Sequence, residues 1–104
     1  MQKLTLAKLV AYRHHAIASK SLSRKLGITL PFVAYALDAG ESISAEESTL
    51  TRLFQVTDGV LTVAYGDQAD TVAAGELLVV PAHTLHTLRA TQPCQFIQFE
   101  TEAR

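Results

Sequence analysis

A chain of 104 residues, 48% apolar and 18% charged, reads as globular rather than disordered, supplies one hydrophobic core and leaves little room for a second domain. The single cysteine, Cys94, excludes an intrachain disulfide and fits a reducing, cytoplasmic setting; no apolar run approaches the roughly 20 residues of a membrane-spanning helix. The net charge of −1 hides an asymmetry, because Lys3, Lys8, Arg13, Lys20, Arg24 and Lys25 all precede the first carboxylate, Asp38. These basic residues are spread out and not interleaved with aromatics, so an arm lying against the acidic remainder of a partner copy is favoured over one that binds nucleic acid.

In chain order, residues 3–11 allow either a turn of helix or an edge strand, and nothing up to Tyr12 forms a signal peptide. Residues 16–22 alternate small or apolar with polar side chains, and Arg24–Gly27 reads as a turn. Residues 28–37 form a strand rich in β-branched and aromatic residues, with Pro31 placing its start at an edge or bulge. The polar stretch from Asp38 to Ser48 reads as a loop. Residues 50–57 are the next strand, closed by Asp58-Gly59 as a hairpin into 60–65, with a Gly66-Asp67 turn after it. Residues 70–73, 76–80, 86–90 and 95–100 complete the series, punctuated by Ala74-Gly75, Pro81 and Gln92-Pro93. Seven or eight short strands with regular turn signals, and no sustained helical period, predict an all-β jelly-roll barrel over 16–104 behind an arm at 1–15.

Two stretches carry a more specific pattern. Gly40 and Gly59 bracket one, and Gly75, Pro81 and His86 punctuate the other, in the run Gly75-Glu76-Leu77-Leu78-Val79-Val80-Pro81-Ala82-His83-Thr84-Leu85-His86. Together with Ser19-Lys20-Ser21-Leu22, Gly40-Glu41-Ser42-Ile43-Ser44 and Phe54-Gln55-Val56-Thr57-Asp58-Gly59, they resemble the small single-domain bacterial cupins over nearly the whole chain. The resemblance implies a double-stranded β-helix barrel. It also implies a metal site built from two histidines and a glutamate of the first motif and one histidine of the second.

At those ligand positions this chain has Glu46, Ser48 and Arg52, and keeps only His86. A guanidinium cannot lose its proton, so an inward Arg52 repels a divalent cation a few ångströms away and is hard to reconcile with one. If Arg52 faces the interior with Phe54 and Val56, it needs a buried anion, either Glu46 or a bound carboxylate or phosphate. A bulge that sends Arg52 to solvent and Leu53 into the core is the alternative. His83, three residues before His86, makes an unusual metal set conceivable: His86, His83 and Glu46. The pair His14-His15 reads as surface or dimer-interface material.

No nucleophile elbow and no glycine-rich phosphate loop is present. The leading expectation is a homodimeric barrel that binds a small ligand through Glu46, Arg52, Phe54, His83 and His86 around a degraded metal site. The alternative is a metal-dependent dioxygenase, isomerase or lyase, with one divalent transition metal on His86, His83 and Glu46 and with Arg52 clamping a substrate carboxylate. A membrane partner is not expected, and nucleic acid is the least favoured partner.

Overall fold

All 104 residues are described in the computed structural model. A 3₁₀ turn at Leu6–Lys8 leads to strand β1 (Ile17–Ser21), the one-turn helix α1 (Ser23–Leu26) and β2 (Phe32–Leu37). Then follow β3 (Ser42–Glu46), β4 (Thr51–Asp58), β5 (Val60–Tyr65) and β6 (Gln68–Ala73). The chain ends with β7 (Leu77–Val80), β8 (His86–Arg89) and β9 (Cys94–Thr101). One antiparallel sheet has the order β1-β2-β9-β4-β7, the other β3-β8-β5-β6. No helix is long and apolar enough to cross a membrane.

The core lies between the sheets and follows from the two-residue alternation of side chains along a strand. One sheet contributes Leu37, Phe54, Val56, Val80, Cys94 and Phe96; the other contributes Leu61, Val63, Val72 and Leu88. Burial raises the Cys94 thiol to about 11, so it sits in the core protonated, as a small apolar residue. Alternation breaks down on β9, where Cys94 to Gln98 are all buried. The residues ahead of β1 run over part of that sheet's outer face: Gln95 Nε2 donates to the Val10 carbonyl at 2.8 Å, and the Tyr12 hydroxyl donates to Asp58. Burial, then the Asp58 carboxylate, hold the Tyr12 phenol protonated well above its ordinary range.

Three expectations are corrected. There are nine strands, because β3 forms inside the stretch read as a loop. It is an edge strand whose only inward apolar residue is Ile43, packed against the core, so its composition resembles that of a loop. The segment read as a turn at Arg24–Gly27 is largely α1, closed by Gly27 in the left-handed region. Ser23 Oγ pins the following loop by donating to the Leu30 carbonyl and accepting from the Phe32 N–H.

The third correction concerns Asp58-Gly59, which joins no hairpin. β4 pairs with β7 and β9, whereas β5 pairs with β6 and β8, so the chain changes sheets at Gly59. Ala74-Gly75 and Gln92-Pro93 are crossings of the same kind, and the Gly66-Asp67 turn closes the β5–β6 hairpin. Gly59 has φ 74°, and a Cβ there would lie 2.3 Å from the Pro93 carbonyl oxygen, whereas Gly66 has open space around it. Gly59→Ala should therefore cost about 2–4 kcal/mol in urea unfolding, from left-handed strain plus backbone overpacking. Gly66→Ala should cost about 1 kcal/mol, from the left-handed backbone alone.

Candidate functional site

Arg52 enters the site from β4, between Val80 of β7 and Glu100 of β9 in the strand register. The register is regular at this point; the β4 irregularity lies further on, between Val56 and Asp58. Arg52 therefore shares the inward face with Phe54 and Val56, and Leu53 takes the outer one. Its Nε donates to Glu100 Oε1 at 2.6 Å, with the two side chains only 12% and 6% exposed. Glu46, the expected partner, is second: its Oε1 lies 3.8 Å from Arg52 Nη1 and its side chain is 46% exposed. Sequence reasoning missed Glu100 because 48 residues separate it from Arg52. The available signal was the parity of β9, which places Phe96, Gln98 and Glu100 on one face.

His86 is the buried histidine of the cluster. It opposes Glu46 across the β3–β8 pair, and Phe54 packs edge-on against its ring at 5.7 Å. Nδ1 lies 2.8 Å from the Thr84 carbonyl, which can only accept, so Nδ1 carries the proton and Nε2 presents a lone pair. Arg52 Nη1 approaches that lone pair at 3.4 Å. Tyr35 stacks on Phe96 in the same interior; burial, then the charge of Glu46, push its phenol up, with Arg52 opposing. Ser48 Oγ accepts from the Leu50 N–H and reaches Glu100 Oε2 at 3.4 Å.

His83 does not join them. It is exposed, in left-handed backbone at φ 64°, and its N–H donates to the Ser48 carbonyl at 2.7 Å. Glu46, Arg52, Phe54 and His86 thus converge as expected, whereas His83 turns away because the loop after Pro81 uses its backbone to close on Ser48.

The openings lie beside this cluster rather than in it. A cleft of about 350 Å³ is lined by Tyr65, Asp70, Leu78, Val79, Val80, Pro81 and Thr84. A shallower one of about 310 Å³ is bordered by Ala45, Ala64, Leu85, His86 and Thr87 among others. Of the five residues expected to hold a ligand, only His86 borders an opening. Tyr65 and Asp70, missed in the sequence, form the polar end of the larger cleft: the phenol donates to Asp70 Oδ2 at 2.8 Å, and that bond raises its pKa.

Solved structures match this arrangement over almost its full length. A conserved protein of unknown function from Streptococcus pyogenes superposes with a TM-score of 0.86 at 21% identity, over 99% of this chain and 89% of that one. A cupin superfamily protein from Desulfitobacterium hafniense gives 0.84 at 22% identity, over 97% and 91%. The fold is that of the cupins. Salicylate 1,2-dioxygenase from Pseudaminobacter salicylatoxidans shares it more distantly, with a TM-score of 0.70 at 21% identity, over 81% of this chain and 26% of that one. No family model and no curated protein matches the sequence.

The residues of this cupin barrel do not fit a metal at the position the resemblance implies. A permanently charged guanidinium already faces the lone pair of His86. The ligating atoms of His86, His83 and Glu46 are not among those that gather within 4.8 Å of one another. The polar centre of the barrel is instead an internal salt bridge, and its stability can be read directly. Arg52→Met strands a buried carboxylate and should lower the unfolding free energy by about 3–5 kcal/mol. The double variant Arg52→Met/Glu100→Leu should recover most of that loss in the same urea titration, because neither charge is then left unpaired.

Proposed function

We propose that this cupin-fold chain is a small-molecule binding protein whose ligand enters the cleft between β6 and β7. The observation that carries the reading is that the position implied for a metal holds Arg52, already neutralised by Glu100, while an apolar-walled cleft opens one strand away. Leu78, Val80 and Pro81 offer the wall, and the Tyr65–Asp70 pair, whose one phenol proton is spent inside the pair, offers acceptors at its end. Asp70 there disfavours an anion, and Arg52, held by Glu100, does not line the cleft. The ligand class is therefore a small organic molecule with an apolar body and a hydroxyl or amine. On this reading the protein works in the cytoplasm, as its single buried thiol suggests.

The second reading, a metal-dependent dioxygenase, isomerase or lyase, draws on the fold likeness to salicylate 1,2-dioxygenase alone. One experiment separates the two. A thermal-shift screen of small alcohols and amines should yield compounds that raise Tm in the wild type and lose the effect in Asp70→Asn. Elemental analysis of His86→Gln and wild-type protein should give equal transition-metal content. A metal bound in proportion to His86, or a screen in which Asp70→Asn responds like the wild type, would overturn this reading in favour of the metal enzyme or of a different site.

A homodimer belongs to the same proposal. Leu77 and Val79 point outward from edge strand β7 and remain 51% and 52% exposed, next to the outward Leu53 of β4. Light scattering at micromolar concentration should give twice the chain mass, and Leu77→Lys/Val79→Lys should give the monomer mass; a monomeric wild type would remove the dimer.

A further inference from the structure

Outside the barrel, one grouping of metal-ligating side chains stands apart. His14 and His15 lie just ahead of β1, separated from it by Ala16, and Asp38 immediately follows β2. The two strands pair with Ile17 opposite Leu37, and the pairing continues outward with the Asp38 N–H donating to the Ala16 carbonyl. One imidazole nitrogen from each histidine and one Asp38 carboxylate oxygen all lie within 4.8 Å of one another.

Adjacent residues in an extended chain point to opposite sides. Here they do not, because His15 takes left-handed backbone at φ 53°, which swings both rings to the same side with centroids 3.7 Å apart. The same bend sends the His15 N–H onto Asp38 Oδ2 at 2.7 Å, while Oδ1 accepts from Ala39 at 2.9 Å. The carboxylate is thereby fixed in place by backbone donors, and each of its oxygens keeps a lone pair free. Neither imidazole forms a hydrogen bond or an ion pair within the chain, so both rings retain a nitrogen lone pair for a ligand.

We propose that His14, His15 and Asp38 bind a divalent transition ion, with Zn²⁺ as the reference ion, at the open end of the β1–β2 pair. Two imidazoles and one carboxylate suit Zn²⁺, Ni²⁺ or Cu²⁺ and leave positions for water. Donor atoms about 3.3 Å apart are needed around a tetrahedral Zn²⁺ with bonds of about 2.0–2.1 Å, and exposed rings reach this by side-chain rotation. The ion would tie the residues ahead of β1 to the end of β2 and so hold the amino-terminal segment against the barrel. This site is independent of the barrel interior and of any ligand there.

The test uses the full chain without an affinity tag, stripped with chelator and titrated with ZnCl₂ by calorimetry. The wild type should bind one Zn²⁺ per chain, saturating below about 100 µM free metal, with a rise in Tm. His14→Gln and His15→Asn should each weaken binding by at least about tenfold. Asn tolerates the left-handed backbone at position 15, so the metal-free Tm of that variant should stay near the wild-type value. His83→Gln and His86→Gln should bind within about twofold of wild type. The proposal is overturned by the absence of saturable binding, by binding that survives in the His14→Gln/His15→Asn double variant, or by binding lost only with His83 or His86.

Discussion

A guanidinium that cannot be discharged, held on an inner strand of a sheet and facing the interior, must meet its counter-charge where it lies. In this protein that meeting is Arg52 with Glu100, and much of the interior follows from it. The bond of 2.6 Å joins directly opposed residues of β4 and β9, so a one-residue slip of either strand would bury one charge without the other. The pair therefore specifies register as well as occupying space. It also sets the role of His86, whose lone pair faces Arg52 rather than a metal, and whose remaining nitrogen is spent on the Thr84 carbonyl. The larger opening lies beside this cluster, in the neighbouring cleft at Tyr65 and Asp70.

The chain path explains how residues so far apart in sequence come together. β3, β5, β6 and β8 belong to one sheet and the remaining strands to the other, so the chain crosses between layers six times. Every crossing must turn a corner without leaving buried backbone groups unpaired. At the corner after β6, the Gly75 N–H donates to the Val56 carbonyl and the Val56 N–H donates to the Glu76 carbonyl. At the corner after β2, the Gly40 N–H donates to the Ala90 carbonyl and the Ala90 N–H to that of Glu41. Gly59, closest of the glycines to foreign backbone, fits against the Gln92-Pro93 crossing because it has no side chain. These contacts lock the two motif segments side by side, and that brings Glu46, Arg52 and His86 to one place.

Most strands were legible because their apolar residues alternate and their ends carry glycine or proline. β3 was not: as an edge strand with one inward apolar residue, Ile43, it has the composition of a loop, and only pairing with β8 makes it a strand. Parity with Phe54 and Val56 left an inward Arg52 as one of two readings, beside a bulge that sends it to solvent; the regular register at Arg52 decided between them, and it also made Glu100, near in space, the counter-ion in place of Glu46, near in sequence. His83 matched a ligand by spacing from His86, but spacing in a turn does not fix direction. The backbone of the turn, bonded to Ser48, decides it.

The sequence by itself determined the all-β class, the inventory of apolar strands, the positions of the glycine turns and the presence of an arginine where the cupin pattern has an acidic ligand. These are properties of local chemistry: side-chain period, φ preference and the fixed charge of a guanidinium. Only the tertiary structure decided which turns are hairpins and which are crossings, that Glu100 neutralises Arg52, that the opening lies at Tyr65 and Asp70, and that His14, His15 and Asp38 share one corner. Each of these depends on strand pairing across tens of residues, and pairing is selected by the burial and charge balance of the whole barrel rather than by any segment within it.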